Sequence, residues 1–356
     1  MATDRKRRTP RPDRRENGVY NRRRGASQAL IRGIFAFRRR ANKAKAGAMA
    51  AKTKKTAAKA PRAAPRRKPR GAPKDGATGN TPPSTAAAIG KKDKKPVAKP
   101  AQKPAPKTVS KTASKPGPAR LWLYGRHAAA AALANPERRV RRVLATRNAA
   151  DWLRKAGVVE AALTRIEDAR PDEIDRLLPA GAVHQGLAAE VFDLPRARLK
   201  DACAPAETAR PVLVLDQITD PQNIGALFRV AAAFGARAVI VQERRTPPLA
   251  GALAKAAAGA IETTPCVKVV NIARALEALA GLGYETAGLA GEADETIAAA
   301  PKDRPVALVM GAEGAGLRPL VASSCARLAR IPIAPAMESL NVSTAAAVAL
   351  YEITRR

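Results

Sequence analysis

The stretch PVLVLDQITDPQNIGALFRVAAAFGARAVIVQ (residues 211–242) decides the fold. It begins with an unbroken apolar strand over 211–217, continues as a helix over 224–234 that is closed by Gly235, and ends in a second apolar strand over 236–242. Two uninterrupted apolar strands joined by a helix are typical of a parallel sheet that is covered by helices on both faces. The stretch therefore predicts an α/β fold.

The same alternation of strands and helices continues to residue 355. The pattern predicts helix 251–259, strand 266–270, helix 272–280, strand 284–289, strand 306–310, helix 317–326, strand 330–333 and a last helix over 345–355. Ligands of such sheets bind outside the carboxyl ends of the strands. Polar residues that follow the strands are therefore the candidates for a functional site.

The first such polar segment is DPQNIGALFR (220–229), which follows a buried strand and starts a helix. Asp-Pro initiates turns, and Asn223 is well suited to cap the helix. Arg229 lies on a helix that is otherwise made of apolar residues. It is either a surface residue or, at the ligand end of the sheet, a buried-edge anchor for a phosphate or a developing oxyanion.

Two further polar segments follow later strands. The glycines of GAEGAGL (311–317) let the backbone approach a ligand closely. This loop lacks the GK[ST] of a Walker A loop and the order GxGxxG, which counts against nucleoside triphosphate hydrolysis and an ordinary dinucleotide fold. In IPIAPAMESLNVS (331–343), Ser339, Asn341 and Ser343 alternate, so helix capping explains only one of them. The other two indicate a polar ligand loop.

A smaller α/β unit is predicted ahead of this sheet. It comprises the strand and Ala-rich helix of LWLYGRHAAAAALA (121–134), a strand within 138–147, a helix over 148–156 and a strand over 184–192, followed by an irregular linker. Four arginines on and around the second strand indicate either a solvated edge or an RNA-facing edge: Arg138, Arg139, Arg141 and Arg142. We interpret the two histidines of this unit, His127 and His184, as structural.

Most of the positive charge precedes these units. The 356 residues contain 65 Lys and Arg against 30 Asp and Glu, and 36 of the basic and 5 of the acidic residues lie in 1–120. Residues 41–118 consist mainly of Ala, Lys, Pro and Thr, so we expect this segment to be disordered and extended. It is either a solvated linker or an electrostatic arm for nucleic acid, and the charge, far beyond what solubility requires, favours the arm.

Other features limit the class of protein. No apolar run approaches the ~20 residues that cross a bilayer, so we expect no membrane protein. Cys203, Cys266 and Cys325 show no CxxC spacing, which argues against a disulfide scaffold or a zinc ribbon and fits a reducing compartment. Residues 18–40 are open to two readings, a basic helix on RNA and a transit peptide, although Asp4, Asp13 and Glu16 count against the transit peptide. Met49 also leaves open a later translation start.

Taken together, the three polar segments DPQNIGALFR, MGAEGAGL and IPIAPAMESLNVSTAAAVALYE resemble the three motifs of the SpoU/TrmH family of RNA ribose 2′-O-methyltransferases. The resemblance spans residues 211–356. The segment 121–192, with YGRHA and VHQG, is similar to the small substrate-binding domain of some members. This arrangement most resembles the branch that methylates a guanosine of 23S ribosomal RNA.

The resemblance implies an α/β methyltransferase domain of the SPOUT type, with a parallel sheet and a deep C-terminal trefoil knot that binds S-adenosylmethionine. It also implies a preceding L30e-like domain, a homodimer, an RNA partner, a cytoplasmic location and no metal. Carried over by position, Gly311, Ile331 and Leu340 match residues whose backbone holds the methyl donor. Five polar residues match the catalytic centre: Asn223, Arg229, Glu313, Ser339 and Asn341.

We therefore expect four segments: a disordered basic arm over 1–118, a small RNA substrate-binding domain over 119–195, a linker over 196–209, and a methyltransferase domain over 210–356. Two other functions remain in competition with methylation of ribosomal RNA. One is 2′-O-methylation of transfer RNA, which relatives also perform. The other is non-catalytic binding or packaging of RNA or DNA through the arm, although all eight matched motif residues are present.

Deletion of residues 1–118 should weaken RNA binding and flatten its dependence on salt, because a chain this basic binds polyanions by releasing counterions. The methylated nucleotide should stay the same, since Lys-Ala-Pro repeats offer neither aromatic platforms nor a rigid donor pattern for reading bases. Filter binding between 50 and 200 mM salt, followed by mapping of the modified nucleotide, measures both effects. A truncated enzyme that modified another nucleotide, or stayed inactive at saturating RNA, would place the arm in the recognition site.

Overall fold

The computed structural model describes residues 120–158, 166–204 and 210–355. The expectations for the basic arm over 1–118 lie outside the described residues. None of the described helices is long and apolar enough to cross a bilayer.

The described residues from 120 to 192, here the small unit, form a four-stranded sheet with the order β1-β4-β2-β3. β4 is antiparallel to β1 and β2, and β3 is parallel to β2. The elements are β1 (Arg120–Tyr124), α1 (Arg126–Ala134), β2 (Val140–Ala145), α2 (Arg147–Lys155), β3 (Ile166–Asp168), α3 (Pro171–Asp175) and β4 (Leu187–Phe192). The predicted small α/β unit is confirmed, and α1 ends at Ala134 with Asn135 as its C-cap.

The four arginines lie at and before the start of β2, ahead of Val143–Ala145, which pair with β3. Three of them form ion pairs within the protein: Arg138 with Glu262, Arg141 with Glu190, and Arg142 with Glu167. The fourth, Arg139, lies 4.8 Å from the ring centroid of Phe192. Arg138 is buried and so fits neither interpretation, whereas Arg139 and Arg141 are exposed and an RNA-facing role for them stays a prediction. The partners come from distant parts of the chain that local sequence does not indicate.

The described residues from 210 to 355, here the large unit, form a six-stranded sheet with the order β10-β8-β9-β5-β6-β7. Every pairing in it is parallel, as the apolar strands predicted. The elements are β5 (Val212–Leu215), α5 (Pro221–Ala233), β6 (Val239–Gln242), α6 (Gly251–Ala257), a 3₁₀ turn (Ala260–Glu262), β7 (Cys266–Val269), α7 (Ile272–Ala280), β8 (Glu285–Leu289), β9 (Val306–Met310), α8 (Pro319–Ser323), β10 (Arg327–Ala329) and α9 (Val342–Thr354).

Two of the departures from the predicted elements have a clear physical reason. The last strand is β10, Arg327–Ala329, and not 330–333. Pro332 has no N–H to donate to a neighbouring strand, which explains why the pairing stops before it. The segment expected to be an irregular linker contains helix α4 (Leu199–Cys203), which forms because Cys203 is fully buried in the core of the large unit.

One apolar core runs through both units. Leu123 and Ala128 of the small unit belong to the same buried cluster as Leu253 and Ile261 of the large unit. Helices α5 and α6 approach most closely at Gly225, where a Cβ would lie 2.3 Å from the carbonyl oxygen of Leu253. The absence of a side chain at residue 225 is therefore what lets the two helices touch backbone to backbone.

Substitution of Gly225→Ala should lower the free energy of unfolding by about 1–3 kcal/mol, because the added methyl group forces α5 away from α6. Denaturant unfolding followed by circular dichroism measures the change. Gly281→Ala is the matched control, since its Cβ would meet nothing closer than 3.6 Å. This control should be neutral or gain about 0.4–1 kcal/mol. Equal stabilities for the two variants would contradict the close contact.

Candidate functional site

The three polar segments meet at the carboxyl ends of two neighbouring strands. β5 and β9 are paired in the centre of the sheet, and the first and second segments follow them directly. The third segment leads into α9, which packs on α5 and β9. The sheet thus brings together residues more than 100 positions apart, as parallel topology predicted.

The start of α5 is capped by Asp220. Its carboxylate accepts a hydrogen bond of 2.8 Å from the backbone N–H of Asn223, and Pro221 occupies the first helical turn. The expectation that Asn223 caps this helix is therefore wrong, because the residue lies three positions inside it. Its side chain is consequently available for contacts outside the helix.

Asn223, Glu313 and Asn341, one from each segment, form a hydrogen-bonded group that we call the amide–carboxylate cluster. The side-chain amide of Asn223 donates to Glu313 Oε1 at 3.1 Å, and that of Asn341 donates to the same oxygen at 3.0 Å. Asn341 Nδ2 also lies 3.1 Å from Asn223 Oδ1. Three of the five predicted catalytic residues are thus in mutual contact.

Asn341 is at the same time the cap of α9. Its Oδ1 accepts hydrogen bonds from the backbone N–H of Ser343 at 3.0 Å and from the Ser343 hydroxyl at 2.6 Å. The backbone N–H of Val342 points to Glu313 Oε1 at 3.4 Å. The Glu313 carboxylate therefore lies at the positive end of the α9 dipole.

Glu313 is presented by a tight turn of the glycine loop. Ala312 and Gly316 exchange two backbone hydrogen bonds, of 3.1 and 2.9 Å, across this turn. A Cβ at Gly311 would lie 2.2 Å from the carbonyl carbon of Gly316, and Gly316 itself has a φ of +64°. These two positions require glycine, and the turn they permit lifts the Glu313 side chain into the exposed cluster.

An ion pair between a buried carboxylate and a partly exposed arginine, which sequence reasoning missed, holds the other end of this loop. Asp216, directly after β5, is 0% exposed and accepts hydrogen bonds from Arg318 Nη2 at 2.6 Å, Nε at 2.9 Å and the backbone N–H at 3.1 Å. Arg318 is the residue before α8. The signal in the sequence was a carboxylate that immediately follows a fully apolar strand, since such a group needs a partner when buried.

The remaining predicted residues lie apart from the cluster. Arg229 is exposed on α5, not at a buried edge as one interpretation expected. Within the described part of the chain, neither Arg229 nor Ser339, also exposed, makes a hydrogen bond to the cluster. Ile331 and Leu340 are partly buried against the core. Their side chains are occupied by packing, so only their backbone polar groups are available to a ligand.

The chemistry of the cluster is that of amide donors around one carboxylate. His184 lies in the small unit, where its Nδ1 accepts from the backbone N–H of Gly186 at 3.1 Å and its Nε2 is 3.2 Å from Asp175, which fits the structural role expected of it. Burial raises the pKa of the Cys325 thiol to about 11, so it is no thiolate nucleophile near neutral pH. Among the described residues, no group of His, Cys, Asp and Glu is arranged to hold a metal ion.

Comparison with known protein families separates the chain into two matched regions. Residues 210–351 match the SpoU rRNA Methylase family, and residues 122–197 match the family described as RNA 2′-O ribose methyltransferase substrate binding.

Individual relatives are similar to this chain as well. The chain is 39% identical over 237 residues to the 23S rRNA (guanosine-2′-O-)-methyltransferase RlmB of Pseudomonas aeruginosa, covering 66% of this chain and 96% of that protein. It is 44% identical over 174 residues to the RlmB of a Burkholderia species, covering 49% of this chain and 70% of the other. The crystal structure of the SpoU methyltransferase AviRb from Streptomyces viridochromogenes, in complex with AdoMet, has a similar fold. It aligns with a TM-score of 0.55 and 24% identity over 66% of this chain and 89% of that chain.

Substitution of Asp216→Asn should lower the free energy of unfolding by about 1–3 kcal/mol, because an amide replaces the charged acceptor of three hydrogen bonds from Arg318. Denaturant unfolding measures this loss. Asp303→Asn is the control, since Asp303 forms an exposed pair with Arg304 at 3.6 Å. That variant should stay within about 0.5 kcal/mol of the parent. Similar losses for both variants would show that Asp216 does not anchor the loop.

Proposed function

This chain belongs to the SpoU rRNA methylase family, and from that membership we propose that it methylates a ribose 2′-hydroxyl of RNA with S-adenosylmethionine as the donor. The proposed substrate is a guanosine of 23S ribosomal RNA, because the two relatives described above are named for methylation of that nucleoside. The observation that carries the proposal is the convergence of Asn223, Glu313 and Asn341 from three separate segments.

The residues that would hold S-adenosylmethionine are Gly311, Ile331 and Leu340, through their backbone groups. They fit this role, because Gly311 has no side chain in a tight turn and the other two side chains are packed on the core. When bound, the cofactor supplies an electrophilic methyl group on a sulfonium centre. The chain itself must then orient the ribose oxygen in line with that group and stabilise the charge left when the hydroxyl proton departs.

Arg229 is the residue we assign to the reacting ribose. Its side chain is exposed and makes no hydrogen bond or ion pair within the described residues, so it is available to RNA. A guanidinium stays protonated near neutral pH and does not act as a base. We propose that it stabilises the 2′-alkoxide by charge and hydrogen bonding, with water or an RNA phosphate accepting the proton.

The roles of the cluster follow from its position. We propose that Asn223 and Glu313 shape the wall of the nucleotide pocket and that Asn341 and Ser339 order the loop before α9. The hydrogen bonds to Glu313 Oε1 support this, since they hold the wall and the loop in one arrangement.

We also propose a cytoplasmic homodimer in which the pocket spans two protomers. Support comes from the outer face of α9, where Tyr351 is 57% and Val348 40% exposed, next to Phe234 of α5. Apolar groups of this size on adjacent helices favour a protein partner. The trefoil knot and the four-segment division remain proposals. The knot is supported by the course of the chain after β10. Residues 331–341 lead from β10 to α9, and α9 packs back on α5 and β9.

The purified chain should transfer labelled methyl groups from S-adenosylmethionine to 23S ribosomal RNA. The modified position should disappear from 2′-O-methyl maps of cells that lack the gene. In the same assay, Arg229→Ala should lower kcat by about 10²–10³-fold, as loss of an oxyanion donor does elsewhere. Calorimetry should show that its affinity for S-adenosylmethionine is unchanged. Arg229→Lys should fail as well if two-point contact by a planar group matters.

Arg274→Ala is the matched control, because Arg274 is also an exposed arginine and lies on helix α7. This variant should keep full activity. Methylation of transfer RNA in place of ribosomal RNA would change the substrate class, and binding of RNA without methyl transfer would support the non-catalytic alternative. A parallel loss of cofactor binding in Arg229→Ala would make Arg229 a residue of the cofactor pocket.

A further inference from the structure

Residues 251–262, comprising α6 and the 3₁₀ turn, lie between the helix that carries Asn223 and Arg229 and the small unit. We call them the adaptor segment. On one side they pack on α5, and on the other they pack on β1 and α1. The segment therefore connects the small unit to the helix that carries part of the cluster.

On the side of the adaptor segment that faces α5, the two backbones are so close that no side chain fits between them at Gly225. A Cβ at Gly225 would lie 2.3 Å from Leu253 O, 2.7 Å from the Cβ of Ala256 and 3.0 Å from the backbone nitrogen of Ala257. Gly225 is two residues after Asn223 and four residues before Arg229. This backbone contact therefore fixes the helix that carries both residues against the adaptor.

The side that faces the small unit is equally close. Gly259 has a φ of +94°, and a Cβ there would lie 2.7 Å from the Cβ of Ala131 and 3.3 Å from the carbonyl oxygen of His127. Both neighbours belong to α1, whose alanines allow this approach. The small unit and the adaptor are thus packed as tightly as two helices within one core.

Glu262, at the end of the adaptor segment, accepts hydrogen bonds from the small unit with both oxygens of its carboxylate. Arg138 donates from Nη2 to Oε1 at 2.6 Å and from Nε to both oxygens at 3.1 Å, and Asn135 donates to Oε2 at 2.8 Å. Arg138 Nη1 also donates to the carbonyl oxygen of Phe192. The Arg138 and Glu262 side chains are 0% and 3% exposed.

A buried ion pair of this kind adds little net stability compared with apolar packing, because both charges lose their hydration. The pair instead adds geometric specificity, because two parallel hydrogen bonds between an arginine and a carboxylate form in only one relative orientation of the two groups. We propose that Glu262 is a positioning residue for the methyl transfer. With Arg138 and Asn135 it locks the RNA-holding small unit in one orientation to Arg229, so that the bound RNA presents its target ribose to the site. This inference rests on the proposed function.

The full-length Glu262→Gln variant tests it. RNA and S-adenosylmethionine should bind with dissociation constants within about twofold of the parent, while kcat at saturating RNA should fall by about 10–100-fold, the effect of a small misplacement of a reactant. Hydrogen exchange read by mass spectrometry should speed up in α1 and in 259–264, independently of any activity. The double variant Arg138→Met/Glu262→Leu, which removes both charges, should regain thermal stability without regaining kcat.

Glu285→Gln is the matched control. Glu285 pairs with Arg327 at 2.9 Å inside the large unit, at the start of β8, the end of the sheet away from the cluster. This variant should lose stability and keep kcat. A normal kcat in Glu262→Gln or in the double variant would overturn the positioning role, as would losses of kcat and of both affinities in proportion to unfolding. A parent protein without methyl transfer would instead refute the proposed function.

Discussion

A single carboxylate oxygen, Glu313 Oε1, joins the parts of the chain on which the site depends. It accepts from the side chains of Asn223 and Asn341 and lies at the backbone N–H of Val342. The glycine loop, the start of α5 and the start of α9 are therefore held together by one acceptor. The ion pair of the buried Asp216 with Arg318 holds the other end of the same loop, and the pairing of β5 with β9 fixes the strands from which the segments start. The position of Glu313 therefore depends on the glycine loop, and the position of that loop depends on Asp216 and on the paired strands.

Much of this arrangement could be predicted from the sequence. The features that could not be predicted, a helix cap and the partners of several arginines, have physical reasons. The apolar strands 211–217 and 306–310 predicted a parallel sheet. Because ligands bind at the carboxyl ends of such strands, the segments of Asn223, Glu313 and Asn341 were the candidates for a site there. The helix cap could not be assigned between Asp220 and Asn223, because both residue types cap helices well. The ion pairs of the arginines around β2 were not predicted, for a different reason. Their carboxylate partners, such as Glu262, lie up to 124 residues away, and composition carries no information about such pairings.

The assignment of Arg229 shows a further limit. A charge on an apolar helix has two physical explanations, and sequence alone does not choose between burial with a partner and exposure to solvent. The structure places it in solvent. Other arginines of the described residues, such as Arg274, are exposed as well, so exposure alone does not single out Arg229.

The pairing of β5 with β9 also has a consequence for how the protein reaches its native state. Val212 pairs with Ala307, so 95 residues separate two strands that are neighbours at the centre of the sheet. Closing so large a loop costs conformational entropy before any contact compensates for it, and folds rich in such distant pairings form slowly. β6 and β7 lie nearer to β5 along the chain and can pair first. The half of the sheet that carries the glycine loop then joins late, and the functional centre is among the last features to appear during folding.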